Sequence, residues 1–183
     1  MQKFVFKPLA IDDLSLMHKW FNDDVEVNKW YALGKPWSWA DIERRYLPRL
    51  LSPPKENIPS YLVYYHNEII GFIQYYSLAD FLPDGMDEDR NHKLFEHFSP
   101  AQVGGVDMFN IAAAQKIFGP GAGSAILTEF LDLFVRPLFE IFVLDPAKNN
   151  ARAIRCYEKC GFSHFSTEKK DDGAEVYLMV SAD

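Results

Sequence analysis

Asn149-Asn150-Ala151-Arg152-Ala153-Ile154-Arg155-Cys156-Tyr157-Glu158-Lys159-Cys160-Gly161-Phe162 reads as one capped helix and the start of the segment after it. The asparagines suit the free N–H groups of a first helical turn. Gly161 suits the left-handed residue that ends a helix. This predicts a helix over residues 151–160. Upstream, residues 138–144 are almost wholly apolar, as in a strand covered on both faces, and Asp145-Pro146 ends them. Further upstream, Phe118-Gly119-Pro120-Gly121-Ala122-Gly123-Ser124 separates a predicted strand, 105–111, from a predicted helix, 124–134, with Ile126, Leu127, Phe130, Leu131 and Phe134 on its apolar side.

Working outward, residues 4–8 read as a strand. Asp12 and Asp13 open a helix through Leu14, Met17 and Trp20, with Asp12 as N-cap. Residues 22–39 are aromatic-rich and read as irregular, with Trp30, Tyr31, Trp37 and Trp39. A second helix spans 40–51, stopped by Ser52-Pro53-Pro54. Residues 61–65 and 69–76 read as a hairpin turning at His66-Asn67-Glu68. Residues 79–102 are polar and acidic, a long excursion with a short helix at 93–97. Two closing strands, 162–167 and 175–180, meet at an Asp171-Asp172-Gly173 turn. The order predicts a mixed α/β chain with one central sheet, in a single domain over residues 1–183.

At 183 residues, with 48% hydrophobic and 25% charged residues, the chain can bury a core without staples. The formal net charge of −7 argues against nucleic acid, whose phosphates need a basic face. It suits a cationic small molecule, or serves solubility alone. The cysteines, Cys156 and Cys160, lie one helical turn apart. That spacing disfavours a disulfide, and no closed zinc set accompanies them, so no metal is expected and both read as buried thiols. The N-terminus has no secretion-like apolar run and no segment approaches a membrane span. The expected location is the cytoplasm.

Closely spaced glycines let a backbone approach a ligand, and a helix start presents N–H groups and positive potential. Residues 118–124 therefore form either a pyrophosphate cradle or a plain tight turn. They are not a P-loop, since no Lys-Ser/Thr pair follows, and the glycine spacing is not that of a dinucleotide fingerprint.

The pattern Asn-x-x-Ala-x-x-x-Tyr-x-x-x-Gly-Phe, at Asn150, Ala153, Tyr157, Gly161 and Phe162, follows that glycine bend in a set order. In this the chain resembles the GNAT superfamily of N-acetyltransferases. Within it the chain is most similar to aminoglycoside 6′-N-acetyltransferases, which share the Arg-Ala-Ile-Arg-Cys-Tyr-Glu-Lys run and have counterparts of Trp30-Tyr31 and Tyr46-Leu47-Pro48. The likeness covers most of residues 4–180. It implies a GNAT fold: a central mixed, mostly antiparallel sheet, flanked by helices, with a parallel strand pair that splays between residues 106–110 and 138–144. It implies acetyl-coenzyme A as cosubstrate, a small cationic amine as acceptor, and a monomer or homodimer without nucleic acid or membrane partners. Cofactor contacts fall on Phe109, Phe118, Gly119, Gly121, Ala122, Gly123, Ser124, Asn150, Ala153 and Tyr157.

By the same resemblance Tyr157 is the general acid for the departing thiolate, and Asp107 is the base or the carboxylate that holds the ammonium. Asp145 and Asp172 match substrate-side aspartates, and Trp30 and Tyr31 form an aromatic acceptor wall. Each residue also has a structural alternative. Tyr157 suits a helix core, Asp107 an ion pair with a lysine, and Asp145 a helix cap. Asp172 suits a turn, Trp30 and Tyr31 suit packing, and Asn150 suits an N-cap. A cysteine nucleophile lacks a neighbouring base in the sequence. Phe118 and Pro120 replace residues that are commonly polar or basic, so the cradle relies on backbone N–H groups. The run from Asp107 to Gly119 is also longer than in the resembling enzymes. Acylation of a siderophore hydroxylamine, a polyamine or a peptide amine, and a non-catalytic acyl-coenzyme A module, remain as alternatives.

Overall fold

A computed structural model describes residues 3–83, 86, 92–170 and 172–182. The strands are β1 (Val5–Pro8), β2 (Ser60–Tyr65), β3 (Glu68–Ser77), β4 (Val103–Asn110), β5 (Ile141–Leu144), β6 (Ser163–Lys169) and β7 (Glu175–Ala182). The helices are α1 (Leu14–Asp23), α2 (Val25–Trp30), α3 (Trp39–Leu50), α4 (Ala114–Ile117), α5 (Ala122–Phe130) and α6 (Ala151–Glu158). The strands form one seven-stranded sheet in the order β1-β2-β3-β4-β5-β7-β6. Pairs β1–β2, β2–β3, β5–β7 and β6–β7 are antiparallel, and β4–β5 is parallel. The chain divides into two compact units, Met1–Gln74 with Met108–Gly123 and Tyr75–Asp107 with Ser124–Asp183.

The first unit is built on aromatic burial. Leu14, Met17, Trp20 and Phe21 recur at helical spacing and put one face of α1 into the core. They meet Val27 of α2, Ile42 and Tyr46 of α3, Leu62, Phe72 and Phe109. Phe109 stacks on Phe72 at 5.3 Å and meets Tyr31 edge-on at 4.8 Å. The His66-Asn67 turn takes left-handed φ values of 47° and 68°, which suits a tight hairpin.

Residues 22–39 are not irregular throughout: α2 forms at Val25–Trp30 because Asp24 accepts the N–H groups of Glu26 and Val27. Asp12 is not an N-cap. A short 3₁₀ turn, Ile11–Asp13, precedes α1, and it is Asp13 whose carboxylate accepts the Ala10 N–H at 2.9 Å. For α3 the cap is Ser38, in a reciprocal box with Asp41.

The second unit carries the parallel pair. Val103, Gly104 and Gly105 pair with Ile141, Phe142 and Val143. β5 is shorter than residues 138–144 suggested: α5 passes into a π-helical turn, Leu131–Val135, and the following turn leaves Leu138 57% exposed. The expected short helix near 93–97 is a 3₁₀ turn, Lys93–Glu96, capped by His92. His92 Nε2 lies 3.0 Å from a Glu168 carboxylate oxygen, which fastens this part of the excursion to β6. Asp171 of the expected closing turn lies outside the described residues.

Between α5 and α6 the hydroxyls and thiols interlock. Ser124 Oγ lies 3.5 Å from both the carbonyl oxygen and Sγ of Cys156. Thr128 Oγ1 donates to Cys160 Sγ at 3.7 Å, and that sulfur lies 3.5 Å from the Ser124 carbonyl oxygen. Both thiols are half-buried rather than buried. The Cys156 S–H donates to Cys160, which pushes Cys160 down from the ordinary thiol range and Cys156 up. Iodoacetamide should modify Cys160 before Cys156, with a midpoint below the usual thiol value of about 8.5 in the rate–pH profile by mass spectrometry.

Gly104 and Gly105 have packing reasons to lack a side chain. A Cβ on Gly104 would sit 2.6 Å from the Phe139 ring, and one on Gly105 2.3 Å from the Tyr76 ring. Gly104→Ala should destabilise the protein by about 1–3 kcal/mol, read as a lower urea midpoint.

Candidate active site

The parallel register ends at Gly105 and Val143, while β4 runs on to Asn110. Beyond that point Leu144 of β5 pairs with Met179 of β7. The split begins where the sequence placed it, and it leaves the backbone of β4 from Val106 onward without β5 as a partner. Asp107 is half-buried on this stretch and Phe109 is buried, in the aromatic core of the first unit.

After β4 the chain makes the short helix α4 and then the glycine bend. Phe118 does not point out of the bend. Its ring packs 5.3 Å from Phe4 and 4.9 Å from Tyr65. Gly119 and Gly121 have φ of +100° and +88°, and an added Cβ on either would meet nothing within 4 Å. These glycines are required by backbone conformation, and the space beside them is open. Ala122 begins α5 and is buried, and Gly123 follows in its first turn. The leading N–H groups of such a helix have no intrahelical acceptor. The Ser124 hydroxyl, in contrast, is turned towards Cys156.

Helix α6 starts at Asn150, whose Oδ1 accepts the Ala153 N–H at 3.1 Å. The cap of α6 is thus supplied by Asn150, which removes the capping alternative for Asp145. Ala153 is half-buried one turn before Tyr157. Tyr157 is only 8% exposed. Burial pushes its phenol well above the usual tyrosine range, and Cys156, Asp145 and Asp107 add to the rise. Tyr157 thus lies on α6, Asp107 on β4 and Asp145 just past the end of β5, all in the second unit. A phenol raised by burial remains a proton donor at neutral pH.

The other expected residues are dispersed. Tyr31 sits in the core against Phe21, Phe72 and Phe109, with the Arg45 guanidinium 5.7 Å from its ring. Trp30 is partly exposed, with Lys29 Nζ 4.5 Å over its ring. Asp172 is exposed, and its Oδ1 accepts the Ala174 N–H at 3.0 Å within its own turn. Among the described residues no cluster of His, Cys, Asp and Glu could hold a metal ion, and no helix is long and apolar enough to cross a membrane. Asp24 went unremarked in the sequence. An aspartate placed before Val-Glu-Val is an N-cap signal, and it stood unread inside an apparently irregular stretch.

Comparison with known proteins identifies the family. The chain matches the Acetyltransferase (GNAT) domain family over residues 10–168. It is 32% identical over 168 residues to the aminoglycoside N(6′)-acetyltransferase type 1 of Klebsiella pneumoniae, covering 91% of this chain and 77% of the relative. Among solved structures it is similar to AAC(6′)-Ib in complex with paromomycin and acetyl-coenzyme A, at a TM-score of 0.78 and 28% identity, covering 99% of this chain and 94% of that one. A structure of the same enzyme with coenzyme A and kanamycin gives a TM-score of 0.76 at 29% identity over 98% and 94% of the chains. With its mixed sheet, its parallel pair parting after Gly105 and the glycine bend leading into α5, the chain belongs to the GNAT acetyltransferase family.

Proposed function

We propose that this chain is a single-domain, cytoplasmic acetyltransferase that uses acetyl-coenzyme A to acylate an amine of an aminoglycoside-like, cationic acceptor. This reading is supported by the burial of Tyr157 on α6 in the unit that also holds Asp107 on β4 and Asp145 at the end of β5, whose charges both raise its phenol. The relatives' acceptors, aminoglycosides among them by name, support the substrate class.

The residues present fit coenzyme A. The open space at Gly119 and Gly121 leaves room for a pyrophosphate, and the first turn of α5 offers N–H groups to it. The Phe118 ring is committed to Phe4 and Tyr65, so backbone groups carry this contact. The stretch of β4 beyond its register with β5 suits the amides of the pantetheine arm, with Phe109 fixing the strand from within the core. At the start of α6, Asn150 and Ala153 are the residues that would contact the arm. When bound, acetyl-coenzyme A supplies an activated carbonyl and a thiolate leaving group.

Acylation forms a C–N bond and breaks a C–S bond, so the amine must lose a proton and the departing sulfur must gain one. The Asp107 carboxylate holds the acceptor ammonium and relays its first proton to solvent. The free amine then attacks, and the nitrogen's second proton leaves to solvent as the tetrahedral adduct collapses, offsetting the one that Tyr157 gives to sulfur and regains from water. Asp145 holds a further cationic group of the acceptor. Tyr157 donates its phenolic proton to the sulfur and is reprotonated from water. Trp30 offers partly exposed aromatic surface on the first unit, whereas the Tyr31 ring is held in that unit's core and the Asp172 carboxylate is bonded within its own turn. Neither Cys156 nor Cys160 is needed, since direct attack requires no covalent enzyme intermediate.

Release of coenzyme A with kanamycin and related 6′-amino compounds tests the reading. Turnover is expected, and absence of turnover with every such compound would remove the aminoglycoside assignment. Tyr157→Phe should lower kcat by about a hundredfold or more while coenzyme A binding by calorimetry stays within about threefold. Asp107→Asn should lower kcat/KM by about a hundredfold at neutral pH, and the deficit should shrink as pH approaches the acceptor amine's own pKa. Because the Tyr157 phenol is shifted upward, its acid form persists through the ordinary tyrosine value of about 10. The pH–rate profile of the wild-type enzyme should accordingly show no falling limb from this group below about pH 10.

A further inference from the structure

Asp24 uses its two carboxylate oxygens on two separate parts of the first unit. Oδ1 accepts the N–H groups of Glu26 and Val27, each at 3.1 Å, and so caps α2. Oδ2 accepts the N–H of Ala112 at 2.7 Å, across 88 positions of sequence. Ala112 lies just after β4, beyond Ile111, whose own N–H donates to the Ile70 carbonyl at 3.1 Å. From Ala112 the chain enters α4 and reaches the glycine bend at Phe118. At the other end of α2, the Tyr31 ring lies 4.8 Å from Phe109. Helix α2 is thus joined to the far end of β4 twice, by a ring contact at Phe109 and by a charged hydrogen bond at Ala112.

We propose that Asp24 is a positioning residue: its second oxygen sets the run from Asn110 to the glycine bend against α2, and so tunes coenzyme A binding from the helix that bears Trp30 and Tyr31. This rests on the reading above, in which β4 and the bend hold the cofactor. Asp24 fixes at its start the run from Ala112 through α4 to the glycine bend. Ala112 is exposed, so water replaces the carboxylate when the contact is lost. The contact therefore adds little to global stability, and its effect lies in where the segment sits. Asn28 holds α2 separately, donating to the Phe21 and Lys35 carbonyls at 2.8 and 3.1 Å. The helix accordingly stays in place when only the Ala112 contact is removed.

The test uses the full chain with Asp24→Asn and Asp24→Ser. Both keep an oxygen for the α2 cap; the first presents an amide donor to the Ala112 N–H, and the second is too short to reach it. Amide exchange at Ala112 should accelerate by about tenfold or more, with the melting temperature little changed. The Kd for coenzyme A by calorimetry and the KM for acetyl-coenzyme A should rise about fivefold to tenfold, with kcat within about threefold of wild type. Asp24→Ala, which also removes the cap, should raise the KM for kanamycin as well. Faster Ala112 exchange with unchanged coenzyme A affinity in both capped variants would overturn the inference. So would a parallel fall of kcat, affinity and melting temperature, the mark of a merely structural role. A wild-type protein that binds no coenzyme A would take the functional reading down with it. A failure confined to Asp24 is recognised by wild type and variants binding equally.

Discussion

Parallel hydrogen bonding between β4 and β5 stops after Gly105 and Val143, and the proposed active site is built around that stop. In a regular parallel sheet every interior N–H and C=O would be spent on a neighbour. Here β4 continues from Val106 to Asn110 while β5 ends at Leu144, which is paired on its other side with Met179 of β7. The glycines just before the split let the Phe139 and Tyr76 rings close on the strand where pairing still holds. Tight packing up to Gly105 therefore precedes release beyond it.

The chemistry follows from what surrounds the split. Asp107 lies on the released part of β4, and Asp145 terminates the strand it was released from. Tyr157 comes from the helix that β5 leads into. Deep burial would by itself keep the phenol protonated, and carboxylates beside it act in the same sense. On the proposed mechanism the same carboxylates would favour a cationic acceptor, so one arrangement of charge would serve acceptor binding and the state of the acid.

Much of this was legible in the sequence because its signals are local. Asn150 and Gly161 announce α6 by capping chemistry, and the glycine bend announces a strand-to-helix junction. Wherever the deciding contact is distant the reading fell short. Helix α2 is stabilised by Asp24 and held by Asn28 through carbonyls of Phe21 and Lys35, so an aromatic-rich stretch folded where periodicity gave no sign. β5 lost its first residues because a π turn ends α5 in a way no residue pattern declares. Phe118 looked like a cradle residue and is drawn to Phe4 and Tyr65, contacts made across the length of the first unit. Tyr31 and Phe109 similarly belong to an aromatic core that only the folded chain assembles.

The fate of Phe118 also bears on how the glycine bend works. A polar side chain at that position would add a direct contact to a bound phosphate, whereas a phenylalanine fixes the approach to the bend by burial instead. Rigid placement of the N–H groups at Gly119, Gly121 and the start of α5 then matters more, because no side chain at the head of the bend compensates for a misplaced backbone. Positive φ at both glycines sets the turn. Phe118 anchors its near side and Ser124, bonded to Cys156, orients its far side. On the proposed reading, cofactor recognition at the head of the bend rests on backbone position rather than on side-chain charge. Residues that hold the bend in place, though they never touch the ligand, should therefore weigh on affinity more than their exposure suggests.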